Sequence, residues 1–546
     1  MPVREIDSAS LMARQAVSEV IDLQRRIFER QRKLIESNVT HHARGFARYR
    51  NEYRRAVSGF MHASGFGAMC DDIAQSRVAF VADYHTLRLA QKTLLTIIRS
   101  TMHQADNICL CVEFVNQRHQ EHLDRFLEGR IGEETFLRRI HYREQWPYDI
   151  WPNFRPVFEL AAEEGIPVVA IDCDSSLPLP KRDRLAAARI AKTAKEFPDA
   201  TLIVSAGQMH MAPSHLPAKV DLAFIKAGLG SPDRVIVYQN AEEIYWQLAR
   251  EGREEVEVVK VRPGEYCVNN TPPLVQQLSY LHWIHFDEEL IEYSELDRTV
   301  RSLIGDLARY LNLRPGSAAK RVKVLMPADL DLAQILSDAG VSDAEKMHVL
   351  RQAENQESIC LPSLELIYLA TLSVNHAAEE SAHYLKHVVS GGREPEDPRD
   401  QFYFMVLNEA CAFFGSKVIN PKRKADHTGR LRTMVAKARK KDRADPEDLA
   451  AKFALNHIRW ERGEKRRSGG IAGAEHLADP AVFNAAAHFL GYILGDRLYY
   501  GLTDGLVPKA LIRDLFKAPL DGEGEALSAY LKVTAKVGAV KIPRRI

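Results

Sequence analysis

Four apolar segments of the chain each end in side chains that can bind a metal or move a proton. The ionisable residues at these ends are His85, Glu113, Asp172, Asp174 and His210. Two imidazoles with carboxylates suit a divalent metal that keeps open positions for water. The same groups suit a histidine base that a carboxylate orients. The residue types leave both chemistries open.

The stretch LIVSAGQMH, residues 202–210, indicates how one of these side chains reaches a site. Its β-branched apolar run predicts a buried strand, and Gly207 allows the backbone to turn sharply. His210 follows within three residues. Ligands of open parallel sheets bind beyond the carboxyl ends of the strands. We therefore expect His210 to enter a crevice that the other strand ends share.

The elements that must position these residues are short apolar strands that alternate with helices. Strands are predicted at residues 77–85, 107–116, 166–174 and 200–210, with further edge strands at 220–228 and 233–239. Side chains alternate along a strand, so Glu113 should share a face with Cys109 and Cys111. This order predicts an α/β fold, a mostly parallel sheet with helices on both faces.

Outside the sheet the sequence predicts helices. Residues 8 to about 66 have apolar side chains at near-helical spacing, and helical patterns dominate again after about residue 280. A Pro- and Asn-rich stretch at 263–274 predicts the exit from the sheet domain. We expect an N-terminal helical arm at 1–74, the α/β domain at 75–265, a helical connector at 266–316 and a mainly α-helical accessory domain at 317–546.

Composition excludes little but sets the class. The 546 residues carry 74 Lys and Arg against 73 Asp and Glu, so no overall field points to nucleic acid or to a membrane surface. The first twenty residues lack an apolar core of signal-peptide length. The sequence contains no run of eighteen apolar residues, so it predicts no membrane span. The seven Cys form no CxxC pair. We expect a reducing, cytoplasmic setting.

The order of these motifs resembles a known family. It runs from the strand with His85, through LCVEF with Glu113 and QWPYDIWPNFRPVFELAAEEGIPVVAID, to IVSAGQMH and HLP. This order resembles the ChaN domain of the haem-binding-uptake and Tiki superfamily, which includes erythromycin-esterase-like proteins. The resemblance covers about residues 75–240. Where the family usually has Gly-Glu-x-His or Gly-x-x-His, residues 82–85 read ADYH.

The resemblance implies a protein that binds haem or an iron-related ligand at the strand ends. It places the family's paired histidines at His85 and His210 and its glutamate at Glu113. The cofactor would be haem or a divalent metal ion. The residues expected to contact it are Tyr84, His85, Asp172, Asp174, Gly207 and His210. Tyr84 and Tyr148 are further candidates for the haem iron, which phenolate or imidazole can bind.

Two other functions remain open. The first, which the resemblance also implies, is a metal-dependent hydrolase of the Tiki or esterase-like kind. In it His85 and His210 hold the metal or act as base, and Glu113 ligates or orients water. The second is a degenerate site, with the helical half making this an interaction protein.

Two stretches of the helical half could take part in binding. On a helix, His376, Glu380, His383 and His387 fall on one face, and Glu380-x-x-His383 has the spacing of a di-iron helix. A di-iron bundle also needs two further Glu-bearing helices, so the sequence favours an ordinary polar face. Residues 417–443 hold eleven basic and two acidic side chains. Such a segment could dock a protein partner.

Overall fold

The computed structural model describes residues 8–38, 44–105, 107–146, 149–286, 293–327, 332–371, 373–439, 444–463 and 473–543. The chain divides into two units. The α/β unit comprises Phe28–Ile291, and the helical unit comprises Met1–Ile27 together with Glu292–Ile546. The four segments expected from the sequence remain a prediction about domain boundaries.

The α/β unit confirms the predicted fold class. Its strands are β1 (His62–Ser64), β2 (Val78–Asp83), β3 (Ile108–Asn116), β4 (Val168–Asp172), β5 (Thr201–Gly207), β6 (Arg234–Gln239), β7 (Val258–Arg262) and β8 (Glu265–Val268). Its helices, with α1 entering from the helical unit, are α1 (Ser8–Asn38), α2 (Arg44–Ala56), α3 (Phe66–Gln75), α4 (Arg88–Met102), α5 (Gln120–Leu127), α6 (Glu133–Arg139), α7 (Tyr142–Gln145), α8 (Trp151–Glu163), α9 (Leu179–Glu196), α10 (Leu216–Lys226), α11 (Glu242–Arg250) and α12 (Pro273–Phe286).

The strands form one sheet in the order β1-β7-β8-β6-β2-β5-β3-β4. From β8 to β4 the neighbours run parallel, whereas β7 is antiparallel to both β8 and β1. Parallel pairing requires both faces to be covered, and each face has its own apolar core. Leu110 and Val112 pack into one core, and Cys109 and Cys111 into the other. The alternation expected for β3 is thus observed.

One local prediction for this unit was wrong, and short strands occur in two segments that were predicted as helix or as connection. Residues 220–228 lie mostly in α10, because Leu216, Val220 and Phe224 are buried at helical spacing and a proline occupies the first turn. The expected exit at 263–274 includes β8, which pairs with β7 across a tight turn where Gly264 has a φ of 73°. The N-terminal arm contains β1, which pairs with β7.

The helical unit contains a small sheet as well as helices. Its strands, in the order β10-β11-β9, are β9 (Lys323–Leu325), β10 (Ile359–Leu361) and β11 (Leu366–Tyr368). Its helices are α13 (Tyr293–Leu311), α14 (Leu332–Asp338), α15 (Asp343–Glu354), α16 (Val374–Ser390), α17 (Pro398–Ile419), α18 (Thr428–Ala438), α19 (Pro446–Glu461), α20 (Pro480–Thr503), α21 (Lys509–Lys517) and α22 (Glu525–Val537).

Residues from the chain's beginning complete the helical unit. The amide of Gln24 in α1 donates a hydrogen bond to the carbonyl of Val418, 3.0 Å away. Glu19 pairs with Lys509 at 2.6 Å. Gln24 is almost fully buried. The first helix is therefore part of this unit's core rather than only an arm.

Helix α17 is long and apolar enough to cross a membrane, by length and composition alone. It is the one such helix among the described residues, and 78% of its most apolar window is buried inside the protein. Core helices of soluble proteins pass the same test. The finding gives weak support to a membrane span.

The basic segment 417–443 does not form one exposed basic surface. Lys417, Lys422 and Arg423 are buried. Lys417 pairs with Asp496, and Arg423 pairs with Glu379 at 2.7 Å. These cations are satisfied inside the helical unit, so they do not contribute to the predicted docking surface. Residues 440–443 lie outside the described residues.

Candidate functional site

Four neighbouring parallel strands bring the predicted site residues to one edge of the sheet. Asp83 ends β2 and pairs in register with Gly207, which ends β5. Val112 of β3 pairs with Ser205 of β5, so Glu113 follows at the same level. Asp172 ends β4, while β3 continues beyond Glu113 to Asn116. The expected convergence of strand ends is present in the α/β unit.

His85 lies just beyond β2 and is oriented by the aspartate before it. Its Nδ1 is 2.6 Å from Asp83 Oδ2. The Gln91 amide on α4 donates to the other carboxylate oxygen at 2.5 Å. Burial disfavours the imidazolium, but the hydrogen bond and charge of Asp83 outweigh it and raise the pKa of His85. This arrangement fixes the ring and directs its second nitrogen, Nε2, away from the carboxylate.

The outward nitrogen of His85 has space in front of it because residue 207 is glycine. A Cβ at Gly207 would stand 3.3 Å from His85 Nε2 and 3.5 Å from Glu113 Oε2. Nε2 has no hydrogen-bond partner among the described residues, and 28% of the His85 side chain is exposed. The rings of His85 and Trp146 meet in a T-shaped contact, with centroids 4.8 Å apart. His85 is thus the accessible imidazole of the pair.

Glu113 is the centre of a buried charge cluster. Its Oε2 accepts a hydrogen bond from the Gly207 backbone N–H at 2.6 Å, and its Oε1 accepts one from Arg182 at 2.9 Å. His210 Nε2 stands 3.4 Å from Oε1. Burial alone would raise the pKa of Glu113, but His210 and Arg182 hold it well below the usual range. Glu113 is therefore an ionised and fully engaged carboxylate.

His210 is delivered by the 3-10 turn Gln208–Met211 that follows β5. Its Nδ1 is 2.5 Å from Oδ1 of Asp183, a residue of α9. The second carboxylate oxygen of Asp183, Oδ2, accepts a hydrogen bond from the hydroxyl of Tyr49 at 2.7 Å. Burial opposes its charging, but Glu113 and Asp183 raise the pKa of His210 to about 10. His210 is consequently an imidazolium clamped between two carboxylates, which leaves no nitrogen free for a ligand.

The two aspartates of the third strand end differ. Asp172 is buried, and it accepts hydrogen bonds from Arg182 at 2.7 Å and from the amide of Gln145 at 3.1 Å. Burial and the Glu113 charge raise the pKa of Asp172. Asp174 is exposed and accepts from the Ser176 backbone N–H. Of the pair, Asp172 joins the cluster and Asp174 does not.

The cluster borders a small crevice that opens to solvent and has a cavity volume of about 10 Å³. Its lining residues are Glu113, Ile171, Asp172, Arg182, Asp183, Ala186, Ala206, His210 and Leu216. Within the described residues, no three His, Cys, Asp or Glu side chains are gathered around a common metal position. Arg182 stands between Glu113 and Asp172, where a cation would otherwise bind. The crevice therefore neutralises its carboxylates with protein cations.

The two tyrosines predicted as ligands of the haem iron are Tyr84 and Tyr148. Tyr84 is half-buried, and its backbone carbonyl accepts the Gln91 amide at 3.3 Å. Tyr148 lies outside the described residues. The ligand roles of Tyr84 and Tyr148 remain predictions.

Sequence reasoning missed four residues of the site, Tyr49, Gln91, Arg182 and Asp183. The signal for two of them was visible: the charged segment KRDR opens the helix directly after β4. A helix that starts beside a strand end directs its first turn at the same crevice. Tyr49 and Gln91 come from other helices, and no local spacing indicates them.

The geometry defines an α/β protein with a polar site at the carboxyl ends of its parallel strands. Residues 69–178 match the family model described as "Haem-binding uptake, Tiki superfamily, ChaN", which confirms the resemblance proposed from the motifs. The matched range holds His85, Glu113 and Asp172 and ends before α9, so Arg182 and His210 lie beyond it. No curated protein and no solved structure matches the chain. The family supports a ligand-binding role in general.

Proposed function

We propose that the α/β unit binds haem, with His85 Nε2 as the ligand of the iron. The observation that carries this proposal is the Asp83–His85 pair, held at 2.6 Å, with Nε2 unoccupied beside Gly207. A histidine that donates its other N–H to a carboxylate is the usual form of a metal-binding imidazole. The family description supports the same cofactor.

The side chains around His85 fit haem by the type of ligand that they offer. His85 supplies an imidazole at an exposed edge, and Trp146 supplies an aromatic surface next to it. The crevice itself is lined with paired charges rather than with an apolar slot. His85 and Trp146 would therefore hold the cofactor, while Glu113, itself paired with Arg182 and His210, fixes the backbone N–H of Gly207 at the end of β5. Bound haem would supply an iron centre with an exchangeable coordination position.

A haemin titration tests the proposal. The wild-type chain should shift the Soret band with saturation near one equivalent, and His85→Ala should weaken binding at least tenfold. His103→Ala is the matched control, because His103 is exposed, belongs to the same unit and lies at the end of α4. Equal binding by wild type and His85→Ala would refute the assignment.

A second candidate is metal-free hydrolysis with His85 as general base. The carboxylate-oriented imidazole and its accessible Nε2 favour it, because a base of this form can activate water. The geometry gives less support to the metal-dependent form, since both oxygens of Glu113 and both nitrogens of His210 are already engaged. Hydrolysis of an activated ester by metal-free, haem-free protein, lost in His85→Ala, would support this candidate.

A further inference from the structure

Two buried glutamines hold the segment that connects β2 with α4 and carries Asp83 and His85. Gln91 lies in the first turn of α4, and Gln239 is the last residue of β6. The two residues are 1% and 2% exposed. Both direct their amide nitrogens at this connecting segment and at the residues beside it. The presentation of His85 therefore depends on side chains that come from two other elements.

Gln91 contacts both the carboxylate and the backbone of this segment. Its amide donates to Asp83 Oδ1 at 2.5 Å, while His85 Nδ1 stands 2.6 Å from Asp83 Oδ2. The same amide nitrogen lies 3.3 Å from the carbonyl oxygen of Tyr84 and 3.4 Å from that of His85. Because each oxygen of Asp83 has its own partner, the carboxylate group has one orientation in which both hydrogen bonds are made.

Gln239 fixes the distance that Gln91 has to span. Its amide donates to the carbonyl of Ala82 at 2.6 Å and to the carbonyl of Ala90 at 3.2 Å. Ala82 directly precedes Asp83, and Ala90 directly precedes Gln91. Gln239 therefore ties the end of β2 to the start of α4, so that the amide of Gln91 stays within reach of the carboxylate.

The hydrogen bonds, rather than the volume, account for glutamine at these two positions. A buried polar atom without a partner costs free energy. Among the described residues, Gln91 Oε1 and Gln239 Oε1 are buried and have no protein partner. An apolar side chain of the same length would fill the space without this cost. What it would not supply is the donor that each glutamine directs at the segment.

We propose that Gln91 is a positioning residue of the strand-end site, acting on His85 through Asp83 with the support of Gln239. The effect on a ligand rests on the proposed binding of haem at His85. No Lys or Arg of the described part of the chain pairs with Asp83, in contrast to Glu113, which pairs with Arg182. A neutral amide orients the carboxylate and leaves its charge to the imidazole, and that charge makes the imidazole a stronger ligand.

The first test uses the haem-free, full-length protein. The proton between His85 Nδ1 and Asp83 should give a far-downfield NMR signal, and its loss in Asp83→Asn assigns it. We expect Gln91→Met to lose this signal as well, because methionine keeps the side-chain length and donates no hydrogen bond. Gln247→Met is the matched control, since Gln247 belongs to the same unit and donates to Glu251 at the surface. A signal retained in Gln91→Met, or absent from the wild type, overturns the proposal.

The second test measures the effect on bound haem. Gln91→Met should weaken haemin binding about three- to tenfold, since partners of metal-binding histidines contribute to affinity. It should also lower the iron–histidine stretching frequency in the resonance Raman spectrum of the reduced complex. A loss of folding stability alone would not move that frequency. Unchanged affinity together with an unchanged frequency overturns the proposal.

The two tests separate this inference from the proposed function. If the wild type binds no haemin through His85, the proposed function fails, and the NMR signal of the haem-free protein still decides the role of Gln91. If Gln91→Met does not fold, Gln91→Asn replaces it, because its amide is one methylene shorter and does not reach Asp83. That variant must lose the same signal, and a retained signal would overturn the proposal.

Discussion

Asp83 determines how His85 presents itself to a ligand. The carboxylate holds Nδ1 at 2.6 Å and leaves Nε2 outward. In Asp83→Asn the charge disappears, and the amide can either donate or accept, so the ring loses its fixed orientation. We expect haemin affinity to fall about 10–100-fold, as for other partners of metal-binding histidines. The Soret titration measures this, and unchanged affinity would contradict the role of Asp83.

Arg182 is the cation that allows two buried carboxylates to share one crevice. It donates to Glu113 and to Asp172. In Arg182→Met both carboxylates lose this partner, and breaking a buried ion pair costs about 3–5 kcal/mol in the free energy of unfolding. Urea denaturation of the α/β unit measures the loss. Arg184→Met, at an exposed position on the same helix, should change stability by less than about 0.5 kcal/mol.

His210 predicts a stability change on the basic side of neutrality. Glu113 and Asp183 raise its pKa to about 10 against burial, whereas an unfolded histidine has a pKa of about 6.5. A raised pKa stabilises the fold below about pH 6.5, and this contribution is lost as the pH rises toward 10. Urea denaturation across this range should show falling stability of the α/β unit. A slope as steep in His210→Gln would show that other groups cause it.

Among single residues, the sequence predicted those that follow apolar strands. His85, Glu113, Asp172 and His210 were found because a parallel sheet must bring its strand ends together. Arg182 and Asp183 were missed because they belong to the next helix, where charged residues usually face solvent. The distinction between Asp172 and Asp174 depends on which one is buried, and two residue types alone do not determine that.

At the scale of elements, close helix packing depends on glycine at Gly491. In Gly491→Ala the new Cβ would meet α17, so α20 must move away from it. We expect a loss of about 1–3 kcal/mol in the free energy of unfolding, the usual cost of overpacking, which urea denaturation measures. Gly305→Ala in α13 is the control, because its Cβ would have no atom within 4 Å. This control should be neutral or stabilising by about 0.5–1 kcal/mol.

Elements were predictable where one periodicity dominated. The four apolar strands of the site and the helices between them follow from runs of β-branched residues. Residues 220–228 failed as a strand because their apolar positions also fit a helix, and the proline of the first turn decides between the two. The partners of His383 were missed because Glu409 comes from a helix that local spacing does not connect with it. Only packing shows that His383 and His488 lie on either side of Glu409.

At the scale of the whole molecule, the proposed haem site belongs to one of the two units. The strand-end site lies within Phe28–Ile291. Haemin should therefore slow hydrogen exchange in β2, β5 and the turns that follow them, and should leave exchange in α16, α17 and α20 of the helical unit unchanged. Mass spectrometry of the exchanged peptides measures this, and protection confined to the helical unit would contradict the placement of the site.

The hydrogen bond from Gln24 to the carbonyl of Val418 has a consequence for biosynthesis. The ribosome makes the α/β unit complete before the partners of α1 in the helical unit exist, and domains generally fold as units during synthesis. The N-terminal half of α1 therefore gains its partner for Gln24 only after residue 418 has been translated. Glu19 gains its partner only after Lys509 has been translated. During that interval its apolar face is exposed. Premature termination before residue 418 would leave a folded sheet carrying an aggregation-prone helix.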